Sequence, residues 1–70
     1  MTSETYETID TQARASAKEL LSQGWNPSER GYDIAVYFGD AEALGERLGR
    51  KATREEVEDL ERMIREYLTA

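Results

Sequence analysis

The 70-residue chain contains no cysteine and no histidine, and it has only one proline and one tryptophan. Without cysteine the chain can form neither disulfides nor thiolate metal sites. Without histidine it lacks the commonest metal ligand and general base, and neither a Ser-His nor a Cys-His nucleophile can be assembled. These absences predict a protein that is not an enzyme and that holds no cofactor and no metal.

Large apolar side chains are also scarce, since Leu, Ile, Val and Phe together account for 12 of the 70 residues and the net charge is −6. A share of these four below roughly 20% together with a high net charge lies close to the composition of disordered chains. A domain this short also buries only about 60% of its unfolded surface. We therefore expect a thin core with little room for a pocket, which favours binding over catalysis.

Long apolar runs are missing as well, and none approaches the ~20 residues of a membrane span. The N-terminal segment is rich in Thr and Glu and lacks the basic start and apolar stretch of a signal peptide. The sequence thus predicts one domain over residues 1–70, without a membrane segment, in the cytoplasm.

Apolar periodicity predicts a first helix over residues 4–23, because apolar side chains recur there at three- and four-residue steps. This stripe consists of Tyr6, Ile9, Ala13, Ala17, Leu20 and Leu21. Asp10 precedes Arg14 by four residues, which favours an ion pair on the helix surface. Gly24 then stands where a left-handed cap would end the helix.

Two further helices are predicted in the second half of the chain. Asp40 is expected to cap a short helix over residues 41–48, and Gly49 to end it. Thr53 and Glu56 match a capping box at the start of the last helix. The apolar side chains expected on its buried face are Val57, Leu60, Met63, Ile64, Tyr67 and Leu68. The spacing of its charges predicts the ion pairs Glu58–Arg62 and Glu61–Arg65.

Residues 31–39 contain a short apolar run between two glycines, and the sequence allows either a helix or a strand there. Asn26 and Pro27 resemble the start of a helix, and a helix here would form the most buried element, clamped by the first and last helices. A buried strand over residues 33–38 is the alternative, although no convincing partner strand exists. The fold class predicted is therefore all-α, a small bundle of three or four helices, with an α+β fold as the alternative.

Candidate binding residues fall into an acidic set, an aromatic set and a basic set. The acidic candidates are Asp40, Glu42, Glu46, Glu55, Glu58 and Asp59. Trp25 and Tyr37 are the aromatic candidates, since Trp and Tyr dominate interface hot spots. The basic cluster that would serve a nucleic-acid partner consists of Arg47, Arg50, Lys51 and Arg54. A solvated, capped helix would explain many of these charges without any partner.

The segment from Leu48 to Leu60, LGRKATREEVEDL, resembles the L-G-R-x-x-T-x-E-E-[VIL]-x-x-L phrase of primary sigma factors. In that family the phrase links two helices of a DNA-associated domain. The resemblance covers 13 of the 70 residues and implies a corner like that of a helix-turn-helix motif. A DNA-reading role would also need an excess of positive charge, which this acidic chain lacks.

These observations predict a non-catalytic acidic module that binds a protein partner with a basic surface. The concrete version is a phage- or plasmid-type inhibitor whose acidic residues cover a nucleic-acid-binding groove, as a nucleic-acid mimic would. One alternative is a homodimeric structural or regulatory protein, and a second is a DNA-binding regulator. Direct binding of nucleic acid is the least expected of the three because the net charge is −6.

Overall fold

The computed structural model describes residues 2–24 and 39–69, and within these ranges the chain forms three α-helices and no strand. Helix α1 spans Ser3–Ser22, α2 spans Ala41–Leu48 and α3 spans Arg54–Thr69. The all-α prediction and the predicted positions of these helices are thus confirmed. The segment whose helix-or-strand state was left open, with Asn26, Pro27 and residues 31–38, lies outside the described residues.

Helix α1 packs mainly against α3 and more narrowly against α2, so the core lies between α1 and the other two helices. Four side chains are fully buried there, and they come from all three helices: Ile9, Leu44, Leu60 and Ile64. Ala13 and Ala17 are also buried and bring little volume with them. The core is therefore thin, as the scarcity of large apolar residues predicts.

Not every residue of the predicted apolar stripe on α1 faces the core. Tyr6 is 52% exposed and Leu21 is 54% exposed, although both stand at helical spacing from buried neighbours. Gln12 and Ser16 take part of the buried face instead, with exposures of 6% and 3%. The predicted apolar stripe is therefore wrong in two respects. It includes the exposed Tyr6 and Leu21, and it omits the buried polar residues Gln12 and Ser16.

The corner between α2 and α3 follows the capping pattern of the sequence. Gly49 ends α2 with a φ of 75°, and its amide donates to the Gly45 carbonyl at 3.0 Å. At the start of α3 the Glu56 amide donates to Thr53 Oγ1 at 3.2 Å, and the Thr53 amide donates to Glu56 Oε1 at 2.8 Å. The predicted capping box is confirmed, as is a short turn between two helices.

The prediction that Asp40 caps α2 through its side chain is wrong. Asp40 has helical backbone angles, with φ −79° and ψ −26°, and its carboxylate makes no capping hydrogen bond to the helix. It accepts a hydrogen bond from Ser16 of α1 instead, at 2.6 Å. A tertiary contact has thus displaced the local one, because Ser16 is buried and needs an acceptor.

Candidate functional site

Three exposed carboxylates stand on α2 and in the first turn of α3, on either side of the connection between these helices, and we call them the acidic corner: Glu42, Glu46 and Glu55. Glu42 and Glu46 stand one turn apart on the outward face of α2, and Glu55 lies in the first turn of α3. Within the described part of the chain, none of the three forms an ion pair with a lysine or arginine. Their charges therefore face solvent uncompensated by a direct contact.

The acidic corner borders two shallow hollows that meet at Arg50. One is lined by Glu42 and Glu46 together with Arg50 and Lys51, and the other by Glu55, Arg50 and the start of α1. Arg50 adds little positive charge to either hollow, because its guanidinium binds Glu56 through two bonds of 2.8 Å and 2.6 Å. The two hollows thus hold three unpaired acids, the paired Arg50 and the unpaired Lys51 in the part of the chain that the structure describes.

Glu58 and Asp59, the other acidic candidates on α3, are paired with arginines of their own helix. Glu58 lies 3.4 Å from Arg54, and Asp59 lies 3.3 Å from Arg62. The predicted pair Glu58–Arg62 is therefore wrong, since Arg62 turns toward Asp59 and Glu66, the latter at 4.0 Å. These surface pairs stabilise little, but they reduce the negative field of this helix face.

Two other predicted ion pairs are confirmed. Arg65 lies 2.8 Å from Glu61 on α3, and Arg14 lies 3.1 Å from Asp10 on α1. The second pair is extended by Tyr67 of α3, whose hydroxyl donates to the Asp10 carboxylate and raises its own pKa by doing so. Arg14 also lies over the Tyr67 ring, 5.2 Å from its centre. This cluster joins α1 to α3 at the surface.

Asp40, the sixth acidic candidate, belongs to a chain of hydrogen bonds between α1 and α2. Arg47 donates to Gln12, Gln12 donates to Ser16 at 2.8 Å, and Ser16 donates to Asp40 at 2.6 Å. Burial raises the pKa of the Asp40 carboxyl, the bond from Ser16 opposes that rise, and the nearby charge of Glu19 adds to it. Asp40 is therefore a half-buried acid in the contact between α1 and α2 and is not part of the acidic corner.

Acids of the same chain pair with two of the four cations in the basic cluster predicted from the sequence. Arg47 is bound to Gln12, Arg50 to Glu56 and Arg54 to Glu58. Lys51 and Arg47 are the two members without an ion pair among the residues that the structure describes, since Gln12 carries no charge. A nucleic-acid interface needs cations that are available to phosphates, and the acids bound to Arg50 and Arg54 reduce that availability at these two positions.

Trp25 and Tyr37, the aromatic candidates, lie outside the described residues. The described ranges hold no cluster of three or more potential metal ligands. No helix in those ranges combines the length and the apolar character needed to cross a bilayer.

Sequence reasoning missed the Gln12–Ser16 link and the clamp of Arg50 on Glu56. The first had a readable signal, since two polar residues four apart interrupt an apolar stripe and can bind each other along the helix. The second had no readable signal, because Arg50 reaches Glu56 across a turn and no fixed sequence spacing marks such a pair.

Comparisons with protein-family models, curated proteins and solved structures find no match for this chain.

Proposed function

We propose that this protein is a non-catalytic module that binds a protein partner through the acidic corner. The observation that carries the proposal is that Glu42, Glu46 and Glu55 lie exposed on α2 and at the start of α3 without a cation partner in the described residues. Carboxylates left uncompensated on a surface steer a basic partner toward it and select against acidic ones. The net charge of −6 acts in the same direction at long range.

The form of action that we propose is occlusion. A small acidic chain that covers a basic groove blocks whatever anion that groove normally binds, and a nucleic acid is one such anion. This is the inhibitor version of the proposal, with action in the cytoplasm. It needs neither a pocket nor a catalytic group, which agrees with a chain that has no histidine and no cysteine.

Affinity capture at low salt, followed by mass spectrometry, would identify the partner. We expect its affinity for this protein to fall as salt is raised, because exposed charge attraction is screened over about 10 Å at 0.1 M salt. Reversing Glu42 and Glu46 together to lysine should weaken binding more than tenfold. Binding that is unaffected by salt would contradict the proposal.

The matched control is Glu4→Lys with Glu7→Lys on α1. These two acids are also exposed and also lack an ion pair in the part of the chain described, so the change in net charge is the same. Because Glu4 and Glu7 line a different hollow from the one that Glu42 and Glu46 line, we expect this double variant to lose only the smaller part that depends on net charge. Equal loss in both double variants would show that overall charge, and not the acidic corner, drives binding.

A further inference from the structure

The carboxylate of Asp40 lies at the start of α2 and is half-buried against α1. It accepts one hydrogen bond, from Ser16 of α1 at 2.6 Å, and it makes no capping bond to its own helix. Within residues 2–24 and 39–69 it has no ion pair with a lysine or arginine. A carboxylate that is taken partly out of water without a cation costs free energy in its ionised form.

The other charge beside Asp40 has the same sign. Asp40 and Glu19 of α1 are the only charged residues among the described ones that line the hollow between α1 and α2, and α3 contributes no residue to it. Glu19 accepts a weak bond of 3.4 Å from the uncharged Gln23. Burial raises the pKa of Asp40, the bond from Ser16 opposes that rise, and the charge of Glu19 adds to it. The neutral acid therefore fits this contact better than the anion does.

Helix α2 has few other contacts that hold it in place. Leu44 is its one buried side chain, and the helix contacts α1 more widely than it contacts α3. Hydrogen bonds tie both of its ends to α1, from Ser16 to Asp40 at the start and from Arg47 to Gln12 near the end. Gln12 and Ser16 bind each other at 2.8 Å, so the two ties form one chain. A change of charge at Asp40 thus acts on one of the few contacts of α2 with the rest of the fold.

We infer that Asp40 is a proton-operated switch that sets how firmly α2 is held against α1. As a carboxylate, Asp40 is repelled by Glu19 and weakens the start of α2. With a proton bound, it loses that repulsion and can still accept the bond from Ser16. The switch does not depend on the proposed partner, but it acts on the helix that carries Glu42 and Glu46. It therefore couples proton uptake to the firmness with which two acids of the acidic corner are presented.

Asp40→Asn tests the switch, because it removes the charge and keeps an oxygen that can accept from Ser16. The folded pKa of Asp40 lies above the ordinary value of 3.8, so the unfolded chain releases this proton first as the pH rises, and wild-type stability falls relative to the variant. We expect the variant to melt at least about 2 °C higher than the wild type near pH 7, and this difference to vanish toward about pH 3. An equal or lower melting temperature near pH 7 would overturn the inference.

The matched control is Glu42→Gln in the first turn of the same helix. It removes the same charge from an exposed position that lines a different hollow, so it leaves the contact of Asp40 with α1 unchanged. We expect no gain in melting temperature from this variant near pH 7. An equal gain from both variants would overturn the inference, because relief of the net charge of −6 would then explain the effect.

Native-state hydrogen exchange followed by NMR locates the effect within the fold. The amides of Leu44 in α2 and Leu60 in α3 are compared in the wild type and in Asp40→Asn, because local opening of one helix exposes its own amides. Near pH 6 we expect the substitution to slow exchange at Leu44 at least about threefold more than at Leu60, and near pH 3 to affect both alike. Equal slowing of both amides near pH 6, or slowing of neither, would overturn the inference, since Asp40 would then not control α2 in particular.

Discussion

At the scale of single residues, Glu56 is the most firmly held charge of the described chain. Its carboxylate accepts two bonds from Arg50 and one from the Thr53 amide, and its side chain is only 9% exposed. The bond from Arg50, followed by that from Thr53, lowers the pKa of Glu56 to about 2. The capping-box spacing of Thr53 and Glu56 predicts the bond between these two residues. The sequence contains no signal for the bonds from Arg50 to Glu56.

Replacing Glu56 with glutamine should lower the free energy of unfolding by about 1–2 kcal/mol at pH 7. The figure reflects the loss of the charge-assisted bonds from Arg50, reduced because Arg50 is 48% exposed to screening solvent, since a glutamine can still accept the Thr53 amide in the capping box. Urea denaturation followed by circular dichroism measures it. The control is Glu58→Gln on the same helix, which removes an exposed pair and should change stability by less than about 0.5 kcal/mol. Equal effects of the two substitutions would contradict the assigned role.

The pH dependence of stability follows from the same lowered pKa. The folded value of about 2 lies below the ordinary value of 4.5, so the unfolded chain takes up this proton first as the pH falls. The contribution of Glu56 is therefore fully present above about pH 4.5 and is lost progressively toward pH 2. We expect the stability difference between the wild type and Glu56→Gln to shrink over that window. A difference that stays constant from pH 6 to pH 3 would contradict it.

At the scale of elements, α1 and α2 are joined by buried polar groups as well as by Leu44. Ser16 lies at the centre of that link, since it accepts from Gln12 and donates to Asp40. The periodicity of α1 predicted its length well, because length depends on the recurrence of apolar residues. It could not predict that Asp40 would bind Ser16 and not cap its own helix, because that choice depends on where a residue 24 positions away lies in space.

Substituting Ser16 with alanine should lower the free energy of unfolding by about 1–3 kcal/mol, since it leaves the buried Gln12 amide and the half-buried Asp40 without this partner. Thermal unfolding by circular dichroism measures the change. Ser22→Ala provides the control, because Ser22 is exposed and its hydroxyl donates only to the Glu19 carbonyl of its own helix. Combining Ser16→Ala with Gln12→Leu should cost less than the sum of the single changes, as expected for groups in one network. Simple additivity would show that the link is not cooperative.

At the scale of the whole molecule, stability depends on a few side chains that meet between three helices. A chain of this size has a small margin of stability, and alanines occupy part of its buried face. The scarcity of Leu, Ile, Val and Phe made such a thin core predictable. Which leucines would fill it was not predictable from spacing alone, since Leu20 is buried while its neighbour Leu21 is 54% exposed.

The dependence of stability on the core can be measured with the same substitution, leucine to alanine, at a buried and at an exposed position. Leu60 is the buried position and Leu21 is the exposed one. Leu60 is fully buried among side chains of the core, so Leu60→Ala removes apolar contacts and leaves a cavity, at a cost of about 2–4 kcal/mol. In a domain of 60–100 residues each kcal/mol lowers the melting temperature by about 4–8 °C, which predicts a fall of roughly 10–30 °C. Leu21→Ala leaves no cavity of that kind and should shift the melting temperature by only a few degrees. Similar melting temperatures for the two variants would mean that the interface between α1 and α3 does not carry the stability of this protein.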